Sequence, residues 1–241
     1  MIKTFIISIV ILVSGVWVNA QNLATDMGKA NQILRNTSVF SIEFRYNYYA
    51  GSVNEKPVYS VINQAYRYNN RFSLEIENKE LIYQDSLLLT KDNDNGVFVL
   101  ENAKNPINEM LSPQNLVSAM KNFKYTYKVK DGRKIYRIAY PKANAEKVKE
   151  VIVILNAKDC FFERAQIIFN SSIGTYSAGS NSSVNYSIME IRYSNFKKND
   201  ALADSKTRIF KYIRFEKGKA VAQPKYSRYA ISDIRKKNKS R

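Results

Sequence analysis

The clearest pattern in this chain is an alternation of apolar and polar residues that begins at residue 39 and returns, with interruptions, as far as residue 101. In residues 39–49, apolar side chains occupy every second position from Phe40 to Tyr48, with polar side chains between them. A period of two predicts an extended strand with one apolar and one polar face. Similar apolar-rich segments follow at residues 58–68, 72–76, 81–83, 87–89 and 97–100. Residues 39–101 are therefore predicted to form an antiparallel meander whose apolar face must be covered or filled.

Turn residues separate these segments. Asn69-Asn70, Asn95-Gly96 and Asp131-Gly132 each lie between two apolar-patterned segments, where residues that tolerate positive φ favour tight hairpins. Further strands are predicted in residues 124–129, 134–140, 151–155, 161–169, 184–193 and 208–215. The predicted fold class is mainly β (α+β), with a curled antiparallel sheet of about eleven strands that forms an incomplete barrel, and with helices covering the hollow.

Two segments have helical periodicity instead. In residues 22–35, Leu23, Met27, Ala30 and Leu34 recur at spacings of three and four, which predicts a short amphipathic helix. Residues 105–122 carry a second apolar stripe, and a proline at position 113 is typical of a first helical turn. Both helices are expected to pack on the sheet, because each has one apolar side.

The N-terminus has the features of a secretory signal peptide. Lys3 precedes an apolar stretch over residues 5–13, and a short small-residue motif ends at Ala20. The apolar stretch is short for a membrane span, so an uncleaved anchor is the less favoured alternative. No cysteine lies near the cleavage point, so no lipid anchor is expected there. The predicted domains are a signal peptide (1–20), a half-barrel domain (21–216) and a basic C-terminal tail (217–241), and the predicted location is the periplasm.

The composition excludes much catalytic and metal chemistry. The chain contains no histidine and one cysteine, Cys160, which removes the usual general base, the common nucleophile pairs and cysteine metal sites. Asp92 and Asp94 lie in a polar turn, but the spacing of a calcium loop is absent downstream. No catalytic residue, metal site or cofactor is therefore predicted. The formal charge of +17 favours anionic partners, yet export makes cellular nucleic acid an unsuitable one.

The order of these elements resembles the periplasmic lipoprotein carriers of the LolA and LolB type. The similar segments are residues 65–74 (AYRYNNRFSL), residues 81–101, with three short strands and two turns, and residues 138–155, where Pro-Lys follows one strand and precedes a long one. The similarity extends over residues 22–195. It implies an N-terminal helix, a curled sheet, helices over the hollow and a role in carrying acyl chains between membranes without catalysis.

The resemblance also implies a contact between the lid and the sheet. The carriers have an arginine at the second hairpin that fixes the lid, and here Tyr68 occupies that place. Arg67 and Arg71 flank the hairpin and are the candidate lid contacts. Arg67 precedes the expected position by one residue and faces the other side of the strand, whereas Arg71 follows the turn.

Acyl chains need an apolar lining, and each buried methylene contributes about 0.8 kcal/mol. Ordinary core packing is the alternative role for every residue of the proposed lining. The predicted lipid-binding residues are Phe40, Ile42, Phe44, Tyr46, Leu74, Ile76, Leu89 and Phe98.

A second function stays open at this point. An envelope sensor or scaffold of the same fold would bind a protein partner or an anionic membrane surface through its basic face and tail. The segment from Lys225 to Arg241 has seven basic residues against one acidic residue, Asp233. The predicted partners are therefore acyl chains of lipoproteins or lipids, and an anionic membrane surface or an envelope protein at the tail; the protein is expected to be a monomer.

Overall fold

A large open sheet dominates the structure. The computed structural model describes residues 23–104, 124–139, 148–176 and 183–235. Their strands are β1 (Val39–Tyr49), β2 (Tyr59–Tyr68), β3 (Arg71–Ile76), β4 (Lys79–Gln84), β5 (Leu87–Asp92), β6 (Val97–Asn102), β7 (Lys124–Lys130), β8 (Arg133–Ala139), β9 (Val148–Asn156), β10 (Phe162–Tyr176), β11 (Ser183–Lys198), β12 (Ile213–Glu216), β13 (Lys219–Ala222) and β14 (Ala230–Asp233).

Twelve of these strands form one sheet in the order β14-β6-β5-β4-β3-β2-β1-β11-β10-β9-β8-β7. Two meanders, β1 to β6 and β7 to β11, are joined where β1 pairs with β11. All pairs are antiparallel except β14 with β6, which are parallel. Because β7 and β14 lie at opposite edges of the sheet, it curls without closing. The predicted mainly β fold with an incomplete barrel is confirmed.

The predicted hairpin turns have the backbone conformation that their residues favour. Asn69 has φ of 54°, and the two-residue loop it begins joins Tyr68 directly to its partner Arg71. Gly96 has φ of 61° at the turn between β5 and β6. These positive φ values explain why asparagine and glycine occupy the turns.

Helix α1, residues 23–36, confirms the first predicted helix and crosses one face of the sheet. Near its N-terminus, Leu23 and Met27 pack with Tyr136 of β8. Near its C-terminus, Leu34 packs against the cluster that contains Phe40 of β1. We call the face that carries Phe40 and Tyr136 the inner face, and the opposite face the outer face. The signal peptide predicted at 1–20 and the helix predicted at 105–122 lie outside the described residues.

A C-terminal segment covers the outer face at β4 to β6. It consists of helix α2 (Leu202–Lys206), a 3-10 helix (Ile209–Lys211), the hairpin β12–β13, a second 3-10 helix (Pro224–Tyr226) and strand β14. Its Ile209, Tyr212 and Tyr229 form one buried cluster with Leu89 and Phe98 of the sheet.

This segment corrects the boundary predicted at residue 216. The β12–β13 hairpin turns at residues 217–218, and Ile231 of β14 pairs with Phe98 of β6. Residues 217–235 are therefore part of the folded domain and not a separate tail. The physical reason is that β4 to β6 carry buried apolar side chains on their outer face, and aromatic residues of the segment cover them. In the sequence, the basic residues around these aromatics favoured a solvated tail instead.

Candidate functional site

The inner face of β1 to β3 and β11 is a continuous apolar surface. Cross-strand pairing places Phe44 beside Tyr193 of β11, and Tyr46 between Ile191 of β11 and Val61 of β2. These side chains are half-buried. Other half-buried apolar side chains on the same face are Leu74, Ile76, Leu81, Val97, Val99, Ile167 and Met189. The inner face thus has apolar surface that neighbouring side chains cover only in part.

The centre of this face carries two neighbouring tyrosines, Tyr46 and Tyr193. Tyr193 keeps part of its surface exposed, and yet burial raises the pKa of its hydroxyl to about 12. Burial also raises the pKa of Tyr46 beside it. Neighbouring protein atoms therefore surround both hydroxyls closely enough that water solvates a charge poorly there. We refer to the inner face around Phe44, Tyr46 and Tyr193 as the hollow.

The predicted lining residues of β1 and β3 share the inner face, but they differ in exposure. Phe40 and Ile42 are 4% and 6% exposed and belong to the core beneath the C-terminal end of α1. Phe44, Tyr46, Leu74 and Ile76 are half-buried and lie in or beside the hollow. Their role in lipid binding stays a prediction.

The last two predicted lining residues, Leu89 and Phe98, do not lie on the inner face. Leu89 pairs with Ile82 of β4, which pairs with Ser73 of β3, and Ser73 alternates with Leu74 along its strand. Both Leu89 and Phe98 therefore point to the outer face, where they are 0% exposed beneath the C-terminal segment. This corrects the prediction: they are core residues on the other side of the sheet.

Arg67 connects the sheet to the C-terminal end of α1. Its Nη1 donates hydrogen bonds to the carbonyl oxygens of Leu34 at 2.9 Å and Arg35 at 3.0 Å, and its Nε donates to Asn69 at 3.0 Å. The last carbonyls of a helix lack partners within the helix, so an arginine fork satisfies them well. Arg67 thus fixes one end of the segment that crosses the inner face.

A buried polar cluster fixes the other end of α1. The carboxylate of Asp26 accepts hydrogen bonds from Lys134 Nζ at 2.7 Å and the Tyr136 hydroxyl at 2.6 Å. Cys160 Sγ lies 3.3 Å from the same carboxylate and is buried. Burial alone would raise the pKa of Asp26, but the hydrogen bonds from Lys134, Tyr136 and Cys160 outweigh it and lower that pKa.

Arg71 has a different position from the one suggested by the resemblance. It pairs with Tyr68, lies on the outer face and forms an ion pair with Asp204 of α2. Its guanidinium also lies 4.6 Å from the centre of the Tyr68 ring. Arg71 therefore holds the C-terminal segment to the sheet, whereas Arg67 holds α1.

Sequence analysis did not single out Asn63, which lies on the inner face. It pairs with Phe44 and Ile76, is 1% exposed, and neither its Oδ1 nor its Nδ2 has a hydrogen-bond partner in the described part of the chain. A buried amide without partners costs about 1–3 kcal/mol. The signal was available in the sequence, because a polar residue stands between Val61 and Ala65 at a position of apolar parity.

The outer face of β1, β10 and β11 carries a row of three arginines. Arg45 pairs with Arg192, which pairs with Arg164. Glu190 is fully buried beside them and accepts hydrogen bonds from Arg192 at 2.5 Å, from Arg164 at 3.3 Å and from Gln166 at 2.8 Å. Burial opposes ionisation, but hydrogen bonds from Gln166 and Arg192 lead the contacts that lower the pKa of Glu190 to about 2.

A second cavity, of about 300 Å³, lies on the outer face next to the C-terminal segment. Its wall is charged, and two of its lysines form ion pairs with glutamates of the same wall: Lys206 lies 2.6 Å from Glu75, and Lys91 lies 3.7 Å from Glu80. The Tyr212 hydroxyl lies 2.7 and 2.8 Å from the Glu80 oxygens. This lining does not suit an acyl chain. Among the described residues, no group of three or more cysteine or acidic side chains is arranged to bind a metal ion.

No protein-family model and no curated protein matches this chain. Solved structures do. A LolA superfamily protein from Nitrosomonas europaea is 8% identical over 77% of this chain and 97% of its own, with a TM-score of 0.32. The lipoprotein LppX of Mycobacterium tuberculosis is 12% identical over 76% and 99%, with a TM-score of 0.39. A putative outer membrane lipoprotein-sorting protein domain from Vibrio parahaemolyticus is 12% identical over 76% and 97%, with a TM-score of 0.25.

The LolA-type proteins that the sequence resembles are thus found again among these solved structures.

Proposed function

We propose that this protein is a non-enzymatic lipid carrier of the bacterial periplasm, which shields the acyl chains of lipoproteins or lipids in the hollow. The observation that carries the proposal is the half-buried apolar surface around Phe44 and Tyr46, on one face of an open, curled sheet. Monomeric proteins rarely keep a contiguous apolar surface of this kind without a ligand or partner for it.

The energetics favour an acyl ligand. Each methylene that leaves water contributes about 0.8 kcal/mol, so a chain of ordinary length gains far more than a single polar contact supplies. The walls are already apolar and partly desolvated, as the raised pKa values of Tyr46 and Tyr193 indicate. Helix α1, held by Arg67 and Asp26, crosses the same face and provides one wall of the site.

Two further features agree with a carrier. The chain lacks histidine, which serves most often as a general base. The predicted signal peptide at 1–20 would export the protein to the periplasm, where a carrier between membranes acts.

Within the described residues, no helix has the length and apolar character needed to span a membrane.

Native mass spectrometry of the protein purified from the periplasm of an expressing cell tests this proposal directly. We expect a bound mass that matches a phospholipid or an acylated peptide. Leu74→Gln, on the inner face, should then lower the bound fraction and weaken binding of a fluorescent fatty acid several-fold. The matched control is Ile62→Gln on the neighbouring strand, because Ile62 is 52% exposed and points to the outer face.

Two results would overturn the carrier proposal. One is a protein that is isolated without ligand and does not bind added phospholipid or fatty acid. The other is equal loss of binding in Leu74→Gln and Ile62→Gln, which would show that the inner face is not the binding surface.

A second candidate function is contact with an anionic membrane surface. The outer face favours it, because Arg45 is exposed at the end of the arginine row, and Lys124, Lys128 and Lys130 are exposed on the edge strand β7. Basic residues near an anionic leaflet contribute about 1 kcal/mol each. The folded part of the predicted tail contributes less, because Arg235 is paired with Asp233.

Flotation with vesicles tests this second function. We expect the protein to float with vesicles that contain phosphatidylglycerol, but not with pure phosphatidylcholine, and to be released by salt. Lys124→Gln with Lys128→Gln should reduce flotation, whereas Lys56→Gln with Lys217→Gln, two exposed lysines elsewhere, should not. Equal flotation with both kinds of vesicle would contradict a basic docking face.

A further inference from the structure

The amide of Asn63 is a polar group in an apolar surface. Its strand neighbours across β1 and β3 are Phe44 and Ile76, so its side chain points to the inner face. It is 1% exposed, and both its oxygen and its nitrogen are without hydrogen bonds in the described part of the chain. Buried polar side chains almost always have partners, and each exception calls for an explanation.

We propose that Asn63 recognises the polar linkage of the bound lipid, and that the preferred ligand carries a secondary amide where its acyl chain is attached. This inference rests on the proposed carrier function. It adds the chemical class of the ligand and a residue that selects for it.

The argument for an amide follows from what asparagine offers. Nδ2 donates two hydrogen bonds and Oδ1 accepts two. A hydrocarbon satisfies neither atom. An ester carbonyl accepts from Nδ2 but leaves Oδ1 without a donor. A secondary amide satisfies both, because its carbonyl accepts from Nδ2 while its N–H donates to Oδ1. A site with buried polar groups discriminates strongly against a ligand that leaves them unpaired.

The position of Asn63 suits this role. It pairs directly with Phe44 and lies on the same face as Tyr46, so a linkage bonded to Asn63 would direct its acyl chain along the apolar surface. A polar group that lowers the stability of the empty protein is typical of a binding site, where function is kept at a cost in stability.

Ser73 provides the matched control. It is also fully buried, and its hydroxyl also lacks a partner among the described residues, but it pairs with Tyr66 and Ile82 and points to the outer face. Replacing either residue with an apolar one should leave the stability of the empty protein unchanged or raise it. Only the replacement of Asn63 should change ligand preference.

The experiment uses the full chain and two probes that differ in one atom group: N-palmitoylglycine methyl ester, which has an amide linkage, and O-palmitoylglycolic acid methyl ester, which has an ester in its place. Each probe competes with a fluorescent fatty acid. We expect the wild type to prefer the amide probe about tenfold. Asn63→Leu should bind both probes with similar affinity, Ser73→Ala should keep the preference, and Asn63→Val is the second apolar variant if Asn63→Leu does not fold.

The outcomes separate this inference from the carrier proposal. If the wild type binds both probes equally, or if the amide preference persists in Asn63→Leu and Asn63→Val, the assignment of Asn63 is wrong and the carrier function stands. If the wild type binds neither probe nor the fluorescent fatty acid, the carrier function is wrong and the role of Asn63 with it.

Discussion

The hydroxyl of Tyr136 donates a 2.6 Å hydrogen bond to the carboxylate of Asp26 and thereby joins the first turns of α1 to strand β8. Both residues are buried, at 0% and 4% exposure. At the other end of the helix, Arg67 donates to the carbonyl oxygen of Leu34. Helix α1 is thus fixed at both ends by directional polar contacts, which places it in one register across the inner face.

The Asp26 cluster predicts a pH dependence of stability. Its pKa is lower in the folded protein than in the unfolded chain, so its contribution is present above pH 4 and is lost as the pH falls through the folded pKa. Asp26→Asn should destabilise the protein by roughly 1–3 kcal/mol at pH 7. Urea unfolding should show a smaller difference between variant and wild type at pH 3. The exposed Asp94→Asn is the control, and a difference independent of pH would contradict the prediction.

Arg67 and Arg71 should protect different parts of the protein from local opening. Arg67→Met removes the donors to the last carbonyls of α1, so amide hydrogen exchange in residues 31–36 should become faster. Arg71→Met removes the ion pair with Asp204 on the outer face and should leave exchange in α1 unchanged. Hydrogen-exchange mass spectrometry of both variants measures this. Faster exchange in α1 for both variants would mean that Arg67 has no specific role at the helix end.

The sequence predicted α1 and the hairpins because these features are local. The apolar spacing from Leu23 to Leu34 defines the helix, and Asn69 supplies the positive φ that its turn requires. Arg67 was predicted as a contact of the lid only through the family resemblance. The carbonyl groups it contacts belong to Leu34 and Arg35, which precede it by 33 and 32 positions. No local sequence pattern relates residues so far apart.

Glu190 should stabilise the protein strongly at neutral pH. Its pKa is lowered from 4.5 to about 2, which corresponds to roughly 3 kcal/mol. The lowering means that this stability is present above pH 4.5 and is lost between pH 4.5 and 2. Glu190→Gln leaves Arg192 and Arg164 without their buried counter-charge, so we expect a loss of about 3–5 kcal/mol at pH 7.

Chemical unfolding of Glu190→Gln at pH 7 and pH 3 measures this loss. The control is Glu163→Gln, because Glu163 pairs with Arg133, which is half exposed, and exposed ion pairs contribute about 1 kcal/mol or less. Similar losses in the two variants at pH 7 would contradict a special role for the buried carboxylate.

The faces of β4 to β6 could not be assigned from the sequence. Strand β5 begins with Leu87, Leu88 and Leu89, so both of its faces are apolar and alternation does not distinguish them. Each tight turn also fixes which side chains face inward, and an error of one residue exchanges the faces. The sequence therefore grouped Leu89 and Phe98 with Phe44. The structure separates them because the C-terminal segment provides a second core on the outer face.

Phe44 and Phe98 therefore predict opposite effects when each is replaced by alanine. Phe98 is 0% exposed and stacks on Tyr229 with 4.7 Å between ring centres, so Phe98→Ala should cost about 3–5 kcal/mol of unfolding free energy. Because Phe98 points away from the hollow, the affinity of the folded variant for a fluorescent fatty acid should stay within about twofold of wild type. Phe44→Ala should cost less stability, since Phe44 is half-buried, and should weaken that affinity roughly fivefold or more. Thermal unfolding measures the stability of the two variants, and fatty-acid titration measures their affinity. A larger loss of affinity in Phe98→Ala than in Phe44→Ala would contradict the prediction, because it would place the ligand on the outer face.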